Sequence, residues 1–437
     1  MKNKFFSSKK NIVTFAIAAT LSFAIVLTVV LLLVLKSPRP NFVSGTFGDY
    51  SVYYDKNGID TNLILKEYKG ECLDDELTIP ETIKINNIVY TVSGLGNEAL
   101  SGEKNNSLKS IVKLNLPDTI KSIGDAAFKD TINLEAVELM GKVDSYGNHL
   151  FIGSGVKNLT INTLTPGFKL NTFSGTAEKF VAFEKVIINN IVGEGEDFIK
   201  NFSSLKTNTL FLGQNILDAS MLKNVIKNVK ILSISKDTVV NFVSDTLIET
   251  LYLNNVGTSL EKIDFENFSN LKTTVKNIYL DEKCDTIYAE AFDGFNYLEN
   301  LFISSTSISV SLDMFKNANM ANVIIQENIM DICLYLNAGD EKVLTSAFMS
   351  KFTNLDIIKQ VYIENGITEI KANALAGMGE GKTIYFYDNS TIATIETGAF
   401  GTTKVYVWGP KDSNHAVYKR LKLSEDFATN VLQYNGQ

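Results

Sequence analysis

Few residues of this chain could take part in catalysis or bind a metal ion. The sequence contains two histidines, His149 and His415, which are far apart, and three cysteines, none of which forms a Cys-x-x-Cys pair. A zinc site needs such ligands close together, and a Ser-His-Asp triad needs a histidine beside a serine and a carboxylate. The sequence therefore predicts no catalytic residue, no metal ligand and no cofactor, and it argues against an enzyme.

Carboxylates are numerous, and two clusters of them could be interpreted as calcium ligands. The clusters lie at residues 74–76 and 194–197. Neither has the spacing of an EF-hand loop, and the chain has no Gly-Gly-x-Gly-x-Asp run. Solvated loop charge is therefore the favoured interpretation.

The net charge of the chain indicates whether it could bind nucleic acid. The formal net charge is −8, and residues 1–40 hold six basic residues and no acidic one, so the remaining chain is more acidic still. A protein that binds nucleic acid needs a basic face. No nucleic-acid partner is expected.

The chain begins with a segment that could cross a membrane. Residues 12–35, from Ile12 to Leu35, contain no charge and would form a helix of about 36 Å, enough for a hydrocarbon core of about 30 Å. Four lysines precede this run, so the positive-inside rule places residues 36–437 outside the cell. We expect a single-pass signal anchor in the cell membrane. A cleaved signal peptide is the alternative, although its apolar region would be shorter.

A repeat with a period of about 25 residues occupies most of the remaining chain. Each copy contains a short strand of alternating apolar residues and ends with a large apolar residue that follows a small or polar one. The large apolar residues are Leu100, Phe128, Phe151, Phe173, Phe198, Leu222, Phe242, Phe268, Phe292, Phe315, Phe348, Leu375 and Phe400. The longest step, from Phe315 to Phe348, predicts an insertion. Stacked copies would share one core and pair their strands in parallel, so we predict a leucine-rich-repeat solenoid with short helical or irregular segments.

The clearest copy resembles a known family. Residues 116–128, L-P-D-T-I-K-S-I-G-D-A-A-F, are similar to the repeat of BspA-like leucine-rich-repeat proteins, whose pattern is L-x-x-I-x-L-P-x-x-V-x-x-I-G-x-x-A-F. Residues 48–100 and 405–419 resemble the terminal segments of that family. The cysteine that often lies three residues after the phenylalanine is absent, with Thr131 and Phe295 at those places.

The resemblance implies a non-catalytic, surface-exposed module that binds other proteins or host and matrix ligands, often in adhesion. A structural protein of the cell envelope that binds copies of itself is the alternative, and an enzyme is a more distant one. The expected organisation is a cytoplasmic segment (1–11), the transmembrane anchor (12–35), a linker (36–47), an N-terminal cap (48–76), about 13 repeats (77–408) and a C-terminal cap (409–437).

One strand position is rich in aromatic residues. The middle residue of each alternating strand points away from the core, because side chains alternate with a period of two. Aromatic residues at this position are Phe211, Tyr252, Tyr279, Phe302, Tyr362, Tyr385 and Tyr406, and Trp408 has the same parity as Tyr406. The candidate ligand-binding face consists of the last six of these and Trp408. A parallel ladder would align them on one open face that could bind an extracellular protein or glycan. The alternative is that the rings stack on neighbouring strands for stability alone.

Overall fold

The computed structural model describes residues 39–175, 182–193, 204–240, 242, 245–319, 322–326 and 331–436. Residues 12–35, where the sequence predicts the membrane anchor, lie outside these ranges, as does Phe198. Among the described residues, no helix is both long and apolar enough to cross a membrane.

The described chain begins with an antiparallel sheet. Strands β1 (Phe42–Phe47), β2 (Tyr50–Asp55) and β3 (Asn62–Tyr68) pair in sequence order. β1 lies within residues 36–47, which the sequence analysis assigns to a linker. It forms a strand because its side chains alternate between exposed and half-buried while its backbone pairs with β2.

This cap sheet then leads into the repeats. β3 pairs in parallel with β6 (Ile88–Leu95), and β5 (Thr82–Ile85) pairs antiparallel with β6. The sheet continues in parallel through β8 (Ser122–Ile123) and β10 (Ser145–Tyr146). The cap thereby supplies the first strand partner of the solenoid.

Most repeats contribute one strand to a long parallel ladder, here termed the first sheet. Its twelve described strands are β4 (Glu76–Thr78), β7 (Lys113–Asn115), β9 (Ala136–Lys142), β11 (Asn158–Leu164), β12 (Phe183–Ile191), β13 (Thr207–Leu212), β14 (Ile231–Ser235), β15 (Thr250–Asn254), β17 (Asn277–Leu280), β19 (Asn300–Ile303), β21 (Asn322–Ile325) and β24 (Phe352–Thr353). Alternating residues of these strands are buried, as the period of two predicts.

Two further parallel sheets form other sides of the coil. The second sheet contains β16 (Ser259–Leu260), β18 (Thr286–Ile287), β20 (Ser307–Ser311), β22 (Ile332–Asn337), β25 (Ile358–Ile363), β27 (Lys382–Phe386), β29 (Val405–Gly409) and β30 (Val431–Gly436). The third sheet contains β23 (Val343–Leu344), β26 (Glu369–Ile370) and β28 (Thr394–Ile395). Since β30 pairs with β29, residues 409–437 add a strand to the ladder.

The alternating strand of the repeat changes sheets once along the chain. Up to β21 these strands belong to the first sheet, whereas β22, β25, β27 and β29 belong to the second. The change lies in the long step between Phe315 and Phe348, where the sequence predicts an insertion. That segment contains an additional alternating strand, β22, and the short strand β23. Every repeat after this sheet change therefore places its alternating strand on the second sheet.

The strands enclose one continuous apolar core. The large apolar residue of the repeat points into it, and Phe128, Phe292 and Phe400 are fully buried. The residue two positions before that phenylalanine often has a left-handed backbone, with φ of 52° at Ala126 and 55° at Glu290. The turn that carries the phenylalanine is therefore tight, and its conformation recurs from repeat to repeat.

Helical segments are short, as expected for this class of solenoid. Among the described residues, the α-helices are α1 (Lys223–Ile226), α2 (Ser346–Met349) and α3 (Ala416–Leu421). The 3-10 helices in the same part of the chain are Asn106–Lys109, Ser220–Leu222, Lys262–Thr273, Leu355–Ile357, Ala376–Met378 and Glu425–Phe427.

Side-chain amides form a second kind of ladder along the first sheet. Asn277, Asn300 and Asn322 occupy the same register position at the start of β17, β19 and β21. Asn300 Nδ2 donates to Asn277 Oδ1 at 2.8 Å, and Asn322 Nδ2 donates to Asn300 Oδ1 at 2.9 Å. This asparagine ladder connects three repeats through side chains in addition to the backbone.

Candidate functional site

Aromatic rings stack in register along the first sheet. Four half-buried side chains, here termed the first aromatic ladder, project from β13, β15, β17 and β19: Phe211, Tyr252, Tyr279 and Phe302. The ring centroids of Tyr252 and Tyr279 are 4.3 Å apart, and those of Tyr279 and Phe302 are 4.0 Å apart with an interplanar angle of 1°. Ser233 lies between Phe211 and Tyr252 in the register, and its small side chain lets those two rings approach to 5.6 Å.

A second aromatic ladder runs along the second sheet. It consists of Tyr335, Tyr362, Tyr385 and Trp408, from β22, β25, β27 and β29. The centroid distances are 4.3 Å for Tyr335 and Tyr362 and 4.4 Å for Tyr362 and Tyr385, with interplanar angles of 9° and 7°. Trp408 lies 6.3 Å from Tyr385 and is 37% exposed, whereas the three tyrosines are half-buried.

The prediction of one aromatic face was wrong in two respects. Tyr252, Tyr279 and Phe302 belong to the first sheet, but Tyr362 and Tyr385 belong to the second, because the sheet change lies between them. Tyr406 is not part of a ladder, since its backbone partner is Thr383, and Trp408 is the residue opposite Tyr385. Tyr406 is 39% exposed and flanks the second aromatic ladder.

Two further tyrosines belong to this surface and were missed from the sequence. Tyr335 lies in the long step between Phe315 and Phe348, where the sequence predicts an insertion. The alternation of Leu334, Tyr335 and Leu336 is the signal that could have found it. Tyr387 follows β27, and its ring centroid lies 6.5 Å from that of Tyr362. Tyr387 has the same parity as Tyr385, which is the signal that could have found it.

Polar groups hold the phenols beside the second aromatic ladder. The Tyr362 hydroxyl donates to Gln360 Oε1 at 3.0 Å, and the Tyr387 hydroxyl donates to Glu364 Oε1 at 3.1 Å. Burial and then the Glu364 carboxylate raise the pKa of Tyr387 to about 12. Burial, followed by the neighbouring phenols Tyr335 and Tyr385, raises the pKa of Tyr362. These phenols are therefore neutral hydrogen-bonding groups at physiological pH.

The stacking decides what the ladders can present to a ligand. A ring face is electron-rich, and a ring edge carries partial positive charge. In both ladders the faces of the interior rings, such as Tyr279 and Tyr362, are covered by neighbours about 4 Å away. The ring edges are left for a partner, and their partial positive charge suits carbonyl and carboxylate acceptors.

The two histidines, which the sequence analysis considers for catalysis and metal binding, make hydrogen bonds to the backbone. His149 Nδ1 lies 2.9 Å from the Ser174 carbonyl oxygen. His415 Nε2 lies 3.0 Å from the Ser390 carbonyl oxygen, and its Nδ1 accepts a hydrogen bond from the Val417 amide at 3.2 Å. Within the ranges that the structure describes, no group of three or more His, Cys, Asp or Glu residues could hold a metal ion. The acidic cluster at 194–197 lies outside those ranges.

Comparison with protein families identifies the repeats. The model of the BspA type leucine-rich repeat region matches in six copies over residues 102–210, 223–343 and 342–407. These matches cover more than half of the chain. The protein belongs to the family of BspA-type leucine-rich-repeat proteins. No curated protein matches the chain.

Several solved structures are similar to the chain at low sequence identity. A leucine-rich cell surface protein from Faecalibacterium prausnitzii is 13% identical, with 92% of this chain and 96% of that chain covered and a TM-score of 0.26. A leucine-rich-repeat protein from Bacteroides ovatus is 14% identical, with 92% and 100% covered and a TM-score of 0.25. The pneumococcal vaccine antigen PcpA is 14% identical, with 90% and 98% covered and a TM-score of 0.24. The family assignment rests on the repeat match.

Proposed function

We propose that this protein is a surface-exposed leucine-rich-repeat module that binds partner proteins, without catalysis, through its two aromatic ladders. The family supports a binding role, and similar chains include a cell surface protein and a vaccine antigen. The observation that carries the proposal is the second aromatic ladder, in which four large rings lie in register on one open strand face. Rigid aromatic side chains bury much area at little entropic cost, so they are favoured at binding surfaces.

The orientation of the rings supports a protein partner over a glycan. A sugar ring packs against an open aromatic face, and the interior rings of the ladders have none free. Ring edges, which carry partial positive charge, instead match the backbone carbonyls and carboxylates of a protein surface. A glycan ligand is thus the alternative outcome of the test.

The binding test compares ladder variants with matched tyrosine variants. Tyr362→Ser with Tyr385→Ser removes two interior rings of the second aromatic ladder, and Tyr288→Ser with Tyr297→Ser removes two tyrosines that are 49% and 58% exposed outside both ladders. The probe is an immobilised basement-membrane protein extract, used before and after enzymatic deglycosylation. Thermal melting of each variant controls for folding.

We expect the ladder variant to bind at least about tenfold more weakly than the wild type, which corresponds to the loss of an interface hot spot. The control variant should bind normally, and deglycosylation should leave wild-type binding intact. A folded ladder variant that binds as well as wild type would refute the proposed face. Loss of wild-type binding on deglycosylation would identify a glycan as the ligand. Light scattering would reveal the self-associating alternative as a concentration-dependent mass.

We further propose that residues 12–35 anchor the protein in the cell membrane with the solenoid outside. The support is the uncharged run and the four lysines before it. Protease added to intact cells should digest the solenoid and leave an N-terminal tag protected. A mature protein that begins after residue 36 would rule out the anchor but not the export.

A further inference from the structure

Neighbouring repeats are joined by backbone hydrogen bonds at the turn that carries the large apolar residue. Three backbone amides of each such turn donate to carbonyls of the next turn. They belong to the large apolar residue itself, to the residue two positions before it and to the residue two positions after it. In one repeat the amides of Ala126, Phe128 and Asp130 donate at 2.8–3.0 Å to Asn148, Leu150 and Ile152. In another, the amides of Glu290, Phe292 and Gly294 donate at 3.1–3.4 Å to Asp313, Met314 and Asn317.

This pattern is interrupted at the sheet change and resumes at Leu375, where the amides of Asn373 and Leu375 donate to the carbonyls of Gly398 and Ala399. At the interruption the equivalent amides are those of Asp313, Phe315 and Asn317. Within the described part of the chain, none of these three amides donates to a backbone acceptor. They alternate with a spacing of two residues, as the donors of a strand edge do.

The next turn contains α2 and is hydrogen-bonded within itself. In α2 the Thr345 carbonyl accepts from the Met349 amide, and the Ser346 carbonyl accepts from the Ser350 amide. Among the described residues, no backbone carbonyl of this helical turn accepts from the amides of Asp313, Phe315 or Asn317.

A cavity lies where the ladder is interrupted. Its volume of about 550 Å³ is within the usual range for ligand sites. One wall contains Leu312, Asp313 and Phe315, and the opposite wall contains Val343, Thr345, Ala347 and Phe348. The rings of Phe315 and Phe348 have centroids 6.0 Å apart and form an apolar floor. The cavity thus combines an apolar surface with two lining residues, Asp313 and Phe315, whose amides have no backbone acceptor among the described residues.

The charged groups around this cavity already have partners, and among them Lys351 Nζ lies 5.4 Å from the centroid of the Phe315 ring. The Asp313 carboxylate accepts from the Ser311 hydroxyl and from the Asp340 amide. Glu341 Oε1 accepts from the amides of Lys342 and Val343, and Lys316 Nζ contacts Asp340 Oδ2 at 3.2 Å. A charged ligand would have to displace these pairs. A neutral ligand with carbonyl acceptors and an apolar group fits without doing so.

We propose that this cavity binds a short peptide segment of a partner protein. Its backbone carbonyls would accept from the amides of Asp313 and Phe315, as the next turn does in regular repeats, and a large apolar side chain would pack on Phe315 and Phe348. This mode is the addition of a strand-like segment to an interrupted ladder. The site is distinct from both aromatic ladders and does not depend on their function.

Hydrogen exchange on the full-length protein tests both parts of the proposal. In the free protein, the amides of Asp313, Phe315 and Asn317 should exchange at least about tenfold faster than those of Glu290, Phe292 and Gly294, since among the described residues only the latter three donate to backbone acceptors. The ligand probes are capped pentapeptides, acetyl-Gly-Gly-X-Gly-Gly-amide, at millimolar concentration, with X being Phe, Leu, Lys or Asp. The Phe and Leu peptides should slow exchange at 313–317, and the Lys and Asp peptides should not.

Two variants show whether the peptide occupies this cavity. Ala347→Trp fills it, whereas Ser346→Trp makes the same kind of change at an exposed neighbouring residue outside its lining. Protection by the Phe peptide should be lost in Ala347→Trp and kept in Ser346→Trp. Val343→Phe is the filling variant to use if Ala347→Trp does not fold. Equal exchange of the two turns, protection by no peptide, or protection that persists in a folded filled variant would each overturn the proposal.

Discussion

Replacing Asn300 with alanine removes the middle member of the asparagine ladder. Its side chain donates to Asn277 Oδ1 at 2.8 Å and accepts from Asn322 Nδ2 at 2.9 Å. Each such bond contributes about 0.5–1.5 kcal/mol net, and the atoms left unpaired are half-buried, so water can replace only part of the loss. We therefore expect Asn300→Ala to lower the free energy of unfolding by about 2 kcal/mol.

Asn322→Ala is the matched control for this change. Among the described residues, the Asn322 side chain makes one ladder bond, to Asn300. Both substitutions remove the same atoms from the same strand position, so differences in strand propensity largely cancel. We expect Asn322→Ala to cost about 1 kcal/mol, half the loss at Asn300.

Equilibrium urea unfolding followed by circular dichroism measures both losses. The slope of free energy against urea must be compared first, because a changed slope would indicate that some repeats unfold separately. With equal slopes, the shift of the midpoint reports the difference in stability. If Asn300→Ala costs no more than Asn322→Ala, or less than about 0.5 kcal/mol, the amide ladder does not stabilise the solenoid and the reasoning is wrong.

Three further outcomes are expected. Phe292→Ala should cost about 3–5 kcal/mol in urea unfolding, since the ring is fully buried; a loss below about 0.5 kcal/mol would show that it is not core. Ala126 has a φ of 52°, a left-handed conformation that strains alanine but not glycine, so Ala126→Gly should raise the melting temperature slightly. Ala127→Gly should lower the melting temperature, and equal effects of the two substitutions would show that Ala126 is not strained. The pKa of Tyr387 is about 12 when folded and about 10 when unfolded, so its protonated phenol stabilises the fold below pH 10 and the benefit disappears as pH rises to 12. Tyr387→Phe should therefore show a smaller drop in urea midpoint between pH 10 and pH 12, and an unchanged drop would refute this.

The repeat and its core were predictable because they depend on local alternation. The alternating apolar positions can be found without knowledge of the partner strand. Ile278, Leu280 and Leu301 are examples, and all three side chains are buried. The same alternation indicated that Tyr252, Tyr279 and Phe302 would share one strand position, and they do.

The division into two ladders could not be predicted in this way. Alternation shows that the Tyr362 side chain points away from the core. It does not show which of the parallel sheets contains the strand of Tyr362. That depends on the path of the chain through the insertion, where β22 and β23 add strands to two different sheets. The partner of Tyr385 depends on register, which selects Trp408 over Tyr406.

The cavity was also beyond sequence reasoning. It lies beside α2, where no backbone carbonyl accepts from the amides of Asp313 and Phe315 among the described residues. The sequence of this turn still ends in Ala347 and Phe348, like the regular repeats. The difference is in the hydrogen bonding of the backbone, which no residue type marks.

The sheet change shifts all the repeats that follow it. An inserted strand changes the side of the coil on which each later repeat places its alternating strand, although the sequence pattern within those repeats stays the same. The repeats that carry Tyr362 and Tyr385 keep their internal pattern, yet they display it on the second sheet. A single insertion can in this way redirect a whole surface without one substitution in the repeats that form it.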